Sequence, residues 1–268
     1  MALRQGLNAS FFSPYSESTL RRFCGKGRLY DYLLRFAIED YIYIFDDFLY
    51  EKLDQTNGMW IWETTGTADA IDIIPDTAGG IVRITTGTGD NEGGRFASQL
   101  AFKGDLNCGM MTAVRSNVIT EVKIEAGFAA SQTESGSVGE VNSLTTPTST
   151  GTDYACMIVD TDDTSNAHGI KWHFATDGST SNYNATATVN TKNLIAAASV
   201  YDKLCVAIEG DASWGYLNGW CIANHGNTTA TKIEGGTALC AYVFGQTRNS
   251  TTARLIDSDY VVIWQDRV

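Results

Sequence analysis

Beyond residue 58 the chain falls into short apolar runs of period two, and that alternation constrains the fold more than any other feature. Ile170, Trp172 and Phe174 alternate with Lys171 and His173, and Ala185, Ala187 and Val189 with Thr186 and Thr188. Leu204, Val206 and Ile208 alternate with Cys205 and Ala207. In Val118–Glu125, Val118, Thr120, Val122 and Ile124 take one face, while Ile119, Glu121, Lys123 and Glu125 take the other. Successive strand residues point to opposite faces, so such runs are half-buried antiparallel strands. Further runs lie at 59–63, 80–86, 95–102, 154–160, 238–245 and 254–265. The sequence has 26 Gly and 31 Thr but only 3 Pro, and no long helix after residue 50. This predicts an all-β chain, a two-sheet antiparallel sandwich or barrel.

The sharpest local signal is Trp214-Gly215-Tyr216-Leu217-Asn218-Gly219-Trp220-Cys221-Ile222. Asn-Gly between apolar runs predicts a two-residue hairpin, because both central residues need positive φ. Its aromatics, Trp214, Tyr216 and Trp220, have the chemistry to stack on sugar rings. Their large apolar area fits the sandwich core better, and that is the expectation. The Thr/Ser-rich stretch 131–152 reads as one long loop.

Charge is unevenly placed. The chain carries a formal net charge of −12. Residues 1–36 hold six Arg and Lys against two acids, a net of +4 that leaves −16 for the remainder. The predicted organisation is therefore a basic N-terminal arm, 1–36, ahead of an acidic β domain, 37–268. Leu29, Tyr32, Leu33 and Phe36 fall at the spacing of one helix face, so the arm contains a short helix. If it docks, Phe11, Phe12 and Phe23 should hold it and Arg4, Arg21, Arg22 and Arg28 orient it. An exposed ion pair contributes only about 0.2–1 kcal/mol, whereas a buried Phe contributes roughly 1.5–3 kcal/mol. An acidic chain is a poor general nucleic-acid binder. No apolar run approaches the ~20 residues of a membrane helix, and residues 1–12 lack the apolar segment of a secretory signal.

Cys24, Cys108, Cys156, Cys205, Cys221 and Cys240 include no C-x-x-C pair. Several sit in apolar runs, which points to free thiols made in a cytoplasm. Asp160–Asn166 places oxygen ligands at alternate positions but has Ser165 where an EF-hand needs Gly, and Lys171 where it needs Glu. An acidic turn is the expectation, with no metal. His168, His173 and His225 form no metalloprotease pattern. Nucleophile-elbow, dinucleotide and Walker signatures are absent from the sequence, so no cofactor is expected.

The order of features carries a resemblance over roughly residues 40–268. Phe45-Asp46-Asp47-Phe48 precedes Trp60 and Trp62, and a Gly-rich strand from Gly79 to Gly87 runs on to Gly89-Asp90-Asn91. The Tyr216–Gly219 hairpin and a closing strand from Ile256 to Ile263 follow. This order resembles the concanavalin A-like (laminin-G-like) jelly-roll domains of tailed-phage virion proteins. The resemblance implies a non-enzymatic structural role: a capsid decoration (cement) protein, or a head-fibre or tail component, made in the host cytoplasm and located on the virion. Its implied partners are the major capsid protein or other virion subunits, gripped by the arm, with assembly as a trimer or dimer.

The same jelly-roll class contains lectins and glycoside hydrolases, which form the alternative reading and make a host-surface glycan a possible partner. Laminarinase-type hydrolases carry Glu-x-Asp-x-Glu on one strand. Here Glu121 and Glu125 stand at that spacing, but Lys123 replaces the middle Asp. An ammonium between two carboxylates favours their charged forms, the reverse of what a general acid needs. The plain expectation is a solvated strand face of alternating charge.

Overall fold

The closing strand organises the molecule. In the computed structural model, residues 41–49, 53, 58–66, 69–75, 80–132, 139–143, 148–149, 153–161, 170–177, 196–225 and 233–267 are described. Their strands are β1 (Tyr41–Asp46), β2 (Trp60–Thr64), β3 (Ala70–Pro75), β4 (Gly80–Thr85), β5 (Gly93–Ser98) and β6 (Gly109–Ser116). Next come β7 (Val122–Ala129), β8 (Val141–Ser143), β9 (Thr148–Ser149), β10 (Tyr154–Asp160) and β11 (His173–Asp177). The last are β12 (Asp202–Glu209), β13 (Ala212–Leu217), β14 (Trp220–His225), β15 (Cys240–Thr247) and β16 (Leu255–Asp266).

One sheet runs β14-β13-β12-β6-β16-β4-β3, with β1 also paired to β16. The 12-residue β16 serves two neighbours along one edge: its first half pairs with β4 and its second with β1. The opposing sheet runs β11-β10-β7-β15-β5-β2, and β8-β9 form a small ribbon. All pairings are antiparallel. This is the predicted two-sheet sandwich. Among the described residues the only helical turn is a short 3-10 segment at Gly104–Leu106; the expected arm helix lies outside them.

The inner faces meet in a core containing Phe48, Trp60, Phe96, Phe128, Trp172, Phe174, Val206 and Ile263. Trp60 and Phe96 pack edge to face at 5.4 Å, and Phe48 and Phe96 at 5.9 Å. Two buried indoles are each satisfied by an Asp. Trp60 Nε1 donates to Asp46 Oδ2 at 2.7 Å, and Trp172 Nε1 to Asp202 Oδ2 at 2.8 Å. Each bond joins the two sheets, since β1 and β12 belong to one and β2 and the β11 approach to the other. The motif residues Asp46 and Trp60 thus act as a brace.

The six-stranded sheet is buried on both faces. β5, β7, β10 and β15 are covered at every position. A second core of Ala97, Ala129, Val141, Tyr154, Cys156, Ile158, Ala175, Cys240, Tyr242 and Phe244 lies on its outer side. Val141 comes from the stretch expected to be a plain loop, which instead supplies β8 and β9.

Several expectations need correction. Val118–Thr120 are not part of a strand; β7 begins at Val122. Lys123 and Glu125 are fully buried rather than solvated. The hairpin forms as expected, with Asn218 at φ 50° and Gly219 at φ 84°. Its aromatics, however, do not enter the core. Ser213, Gly215 and Leu217 face inward, while Trp214 and Tyr216 are partly exposed and Trp220 is 49% exposed. A side chain at Gly215 would meet the Phe174 ring at 2.6 Å, so Phe174 already fills the space above β13 and large residues go outward. The expected strand at 185–189 lies outside the described residues.

Candidate functional site

The spacing that resembles a hydrolase pair does not assemble one. Glu121 adopts φ 55°, a left-handed conformation that breaks the two-residue period before β7 begins. Its half-exposed carboxylate is held by Arg254 Nη2 at 2.5 Å, and Arg254 Nε also donates to the Thr120 carbonyl at 3.1 Å. Glu125 lies four residues on, inside the second core.

There Glu125 is engaged on both oxygens. Lys123 Nζ lies 2.9 Å from Oε1, and the Val141 amide donates to the same oxygen at 3.2 Å. The Glu140 amide and the Tyr242 hydroxyl both donate to Oε2 at 3.0 Å. Lys123 Nζ also donates to the Val141 carbonyl and sits 5.6 Å from the Phe244 ring centre. Alongside, Arg95 Nη1 binds Glu140 Oε1 at 2.8 Å, and the guanidinium stacks 3.9 Å over the Tyr242 ring. Arg95 Nη2 donates to the Ser131 carbonyl at 2.5 Å.

The segment Gly139–Val141 is therefore a strap fastened onto the outer face of the six-stranded sheet. Gly139 has φ 69°, and a side chain there would stand 2.7 Å from Glu125 Oε1, so glycine is required on both counts. Burial pushes the Glu140 carboxyl up, and Arg95 beside it draws it back. Burial likewise raises the Tyr242 phenol, assisted by Cys156 and Glu125. A carboxylate with four partners and no exposure to solvent is an anchor.

The outer face of the eight-stranded sheet is different. Register places Trp214, Ala207, Gly109, Trp264 and Tyr43 in one row across β13, β12, β6, β16 and β1. Tyr216, Cys205, Met111, Val262 and Phe45 form the adjacent row on the same face. The Trp264 ring occupies the space a Gly109 side chain would take, with Cζ2 1.9 Å from that position. Phe45 stacks on Tyr260 at 6.3 Å. Below these rows Asp257 accepts from both Arg83, at 2.6 Å, and Arg115, at 2.9 Å. Hydrogen bonding to Asp257 raises the Arg83 pKa.

Among the described residues no group of three or more His, Cys, Asp or Glu is placed to hold a metal. Asp160, the first residue of the acidic turn, is buried and paired with Arg248 Nε at 3.1 Å. His173 and His225 are both buried, on different sheets. Cys108, Cys156, Cys205, Cys221 and Cys240 are free thiols. The expected anchoring residues Arg4, Phe11, Phe12, Arg21, Arg22, Phe23 and Arg28, and Cys24, all lie outside the described residues.

The paired sheets define a concanavalin A-like jelly roll, and comparison with known proteins agrees. No family model and no curated protein sequence matches the chain. Solved structures do. A protein of unknown function, SO2946 from Shewanella oneidensis MR-1, superposes with a TM-score of 0.55 at 12% identity, over 85% of this chain and 87% of that one. The carbohydrate recognition domain of Emp46p gives 0.52 at 11% identity, over 81% and 94%. A Bacteroides ovatus mixed-linkage-glucan GH16 protein, solved with a product, gives 0.52 at 11% identity, over 82% and 99%. At such identities the likeness is one of fold.

Proposed function

We propose that this chain is a carbohydrate-binding jelly roll that does not cleave its ligand. The carbohydrate part is supported by the fold's neighbours, and the observation that carries the non-cleaving part is the saturation of Glu125 by Lys123, Tyr242 and two strap amides. A retaining glycosidase needs two carboxyl groups about 5–5.5 Å apart with access to the scissile bond. Here one is an internal anchor, and the other, Glu121, is tied to Arg254 outside the strand. What remains compatible with the fold's neighbours, a carbohydrate recognition domain and a glucan-processing protein, is recognition. Neither the described residues nor these neighbours carry an observation favouring a phage particle, a capsid partner or a virion location. The capsid-decoration reading therefore gives way to the carbohydrate one.

The test is a glycan panel read by calorimetry, with reducing-sugar release measured on each bound glycan. Saturable binding without release is expected. Release lost on Glu125→Gln would overturn the non-hydrolytic part, and no binding across the panel would overturn the whole.

A further inference from the structure

We infer that Asn218 is a site of spontaneous deamidation, and that its conversion to a carboxylate weakens the Asp202–Trp172 tie between the two sheets. This holds whether or not the chain binds carbohydrate.

The chemistry starts in the hairpin between β13 and β14. Asn218 and Gly219 are both exposed, and no atom beyond the turn lies within 4 Å of where a Gly219 side chain would stand. The Gly219 nitrogen thus lacks the side chain that hinders ring closure onto an asparagine, and its surroundings are open. The Lys203 amide donates to Asn218 Oδ1 at 2.9 Å. A donor in that position stabilises the negative charge that gathers on Oδ1 when the carboxamide carbon is attacked.

The reaction balances with water alone. The Gly219 nitrogen bonds to Cγ of Asn218 and gives its proton to solvent. The Cγ–Nδ2 bond then breaks, and Nδ2 takes a proton from water and leaves as ammonia. Water next opens the cyclic imide. Cleavage at Cγ leaves an aspartate in place of the asparagine, and cleavage at the main-chain carbonyl leaves an isoaspartate. Water is consumed, ammonia is released, and nothing is oxidised or reduced.

The consequence follows from what Asn218 holds. Its Nδ2 donates to Asp202 Oδ1 at 3.0 Å, while Asp202 Oδ2 accepts from the buried Trp172 indole at 2.8 Å. Asp202 itself is only 8% exposed. Deamidation replaces a donor to that carboxylate with a second carboxylate, and like charges so placed repel. Asp202 belongs to β12 and Trp172 leads into β11, so the repulsion acts on a contact between the sheets. An isoaspartate also adds a main-chain atom to a two-residue turn whose length sets the register of its strands.

The test incubates the full chain at pH 8 and maps its peptides over time. Aspartate and isoaspartate should appear at position 218 several-fold faster than at exposed Asn117, Asn224 and Asn249, which precede Val, His and Ser. Equal or slower conversion at 218 would overturn the site. Asn218→Asp then isolates the consequence, because Asp-Gly supports the same turn and only the charge changes. This variant should unfold at lower urea than the wild type, and adding Asp202→Asn should recover the loss. In the double variant the amide at 202 donates to the carboxylate at 218 and still accepts from Trp172. Should Asn218→Asp alone fail to fold, recovery in the double variant decides the matter. Wild-type stability in Asn218→Asp, or no recovery in the double variant, would overturn the link to the tie.

Discussion

Lys123 Nζ and Glu125 Oε1 lie 2.9 Å apart with neither side chain exposed to solvent, and together they hold the backbone of Glu140 and Val141. A buried ion pair is weak evidence of net stability, but removing one partner leaves an uncompensated charge. Lys123→Met should therefore destabilise the fold by about 3–5 kcal/mol. The double change Lys123→Met, Glu125→Gln should cost less than the single one, because no lone carboxylate is left. Urea denaturation of the three chains tests this; a double variant no more stable than Lys123→Met would show that the pair is not the unit.

The Asp46 brace makes a second expectation. Asp46→Ala strands the Trp60 indole N–H, which is 2% exposed, and removes the acceptor for the Phe48 amide at 2.8 Å. An unsatisfied buried donor costs about 1–3 kcal/mol. The melting temperature should fall accordingly, and Trp60→Phe in the Asp46→Ala background should recover part of the loss by removing the orphaned donor. A further fall on adding Trp60→Phe would argue against the brace.

How much of this was legible before the structure depends on whether the cause is local. The run 154–160 and the Asn218-Gly219 hairpin were readable because turn chemistry and neighbouring residues specify them. Glu121 was misread because the apolar alternation continues through Val118 and Thr120, and nothing in it signals a residue at φ 55°. Lys123 and Glu125 look like a solvated face in sequence. Their cover is the strap at 139–141, fifteen residues away in a Thr/Ser-rich stretch. Trp214 and Tyr216 were expected inside, but the deciding residue is Phe174, from the opposing sheet. Strand β6, Gly-Met-Met-Thr-Ala-Val-Arg-Ser, shows no clean alternation because Gly109, Met111 and Ala113 face outward among apolar neighbours. For Lys123, Glu125, Trp214 and Tyr216 the missing information is a contact distant in sequence.

His225 gives the fold a response to mild acid. It is buried, 5.4 Å from the Phe174 ring, and burial lowers its pKa from the ordinary 6.5, partly offset by a hydrogen bond to the Phe174 backbone. The folded state holds the proton less tightly than the unfolded chain, so unfolding takes up a proton below pH 6.5. The contribution is present above that pH and is lost as pH falls through the folded value. Melting temperature should drop between pH 7 and 5 more steeply in the wild type than in His225→Leu. Parallel profiles would remove His225 as the cause.

Thiol chemistry checks the two-sided burial of the six-stranded sheet. Cys156 and Cys240 lie in its outer core and Cys108 in the inner one, all 0% exposed. Cys205 and Cys221 are partly exposed on the outer face of the other sheet. Burial raises the pKa of all five thiols, that of Cys205 to about 12, and the thiolate is the reactive form, so access is what separates the two groups. Arg95, 3.7 Å from Cys240 Sγ, opposes that rise but does not open the site. In a Cys24→Ser chain, a thiol reagent at pH 8 should therefore modify no more than Cys205 and Cys221 until denaturant is added, when the other three follow. Peptide mapping assigns each. Native labelling of Cys156 at the rate of Cys221 would mean that the strap at Gly139–Val141 does not stay closed over the sheet.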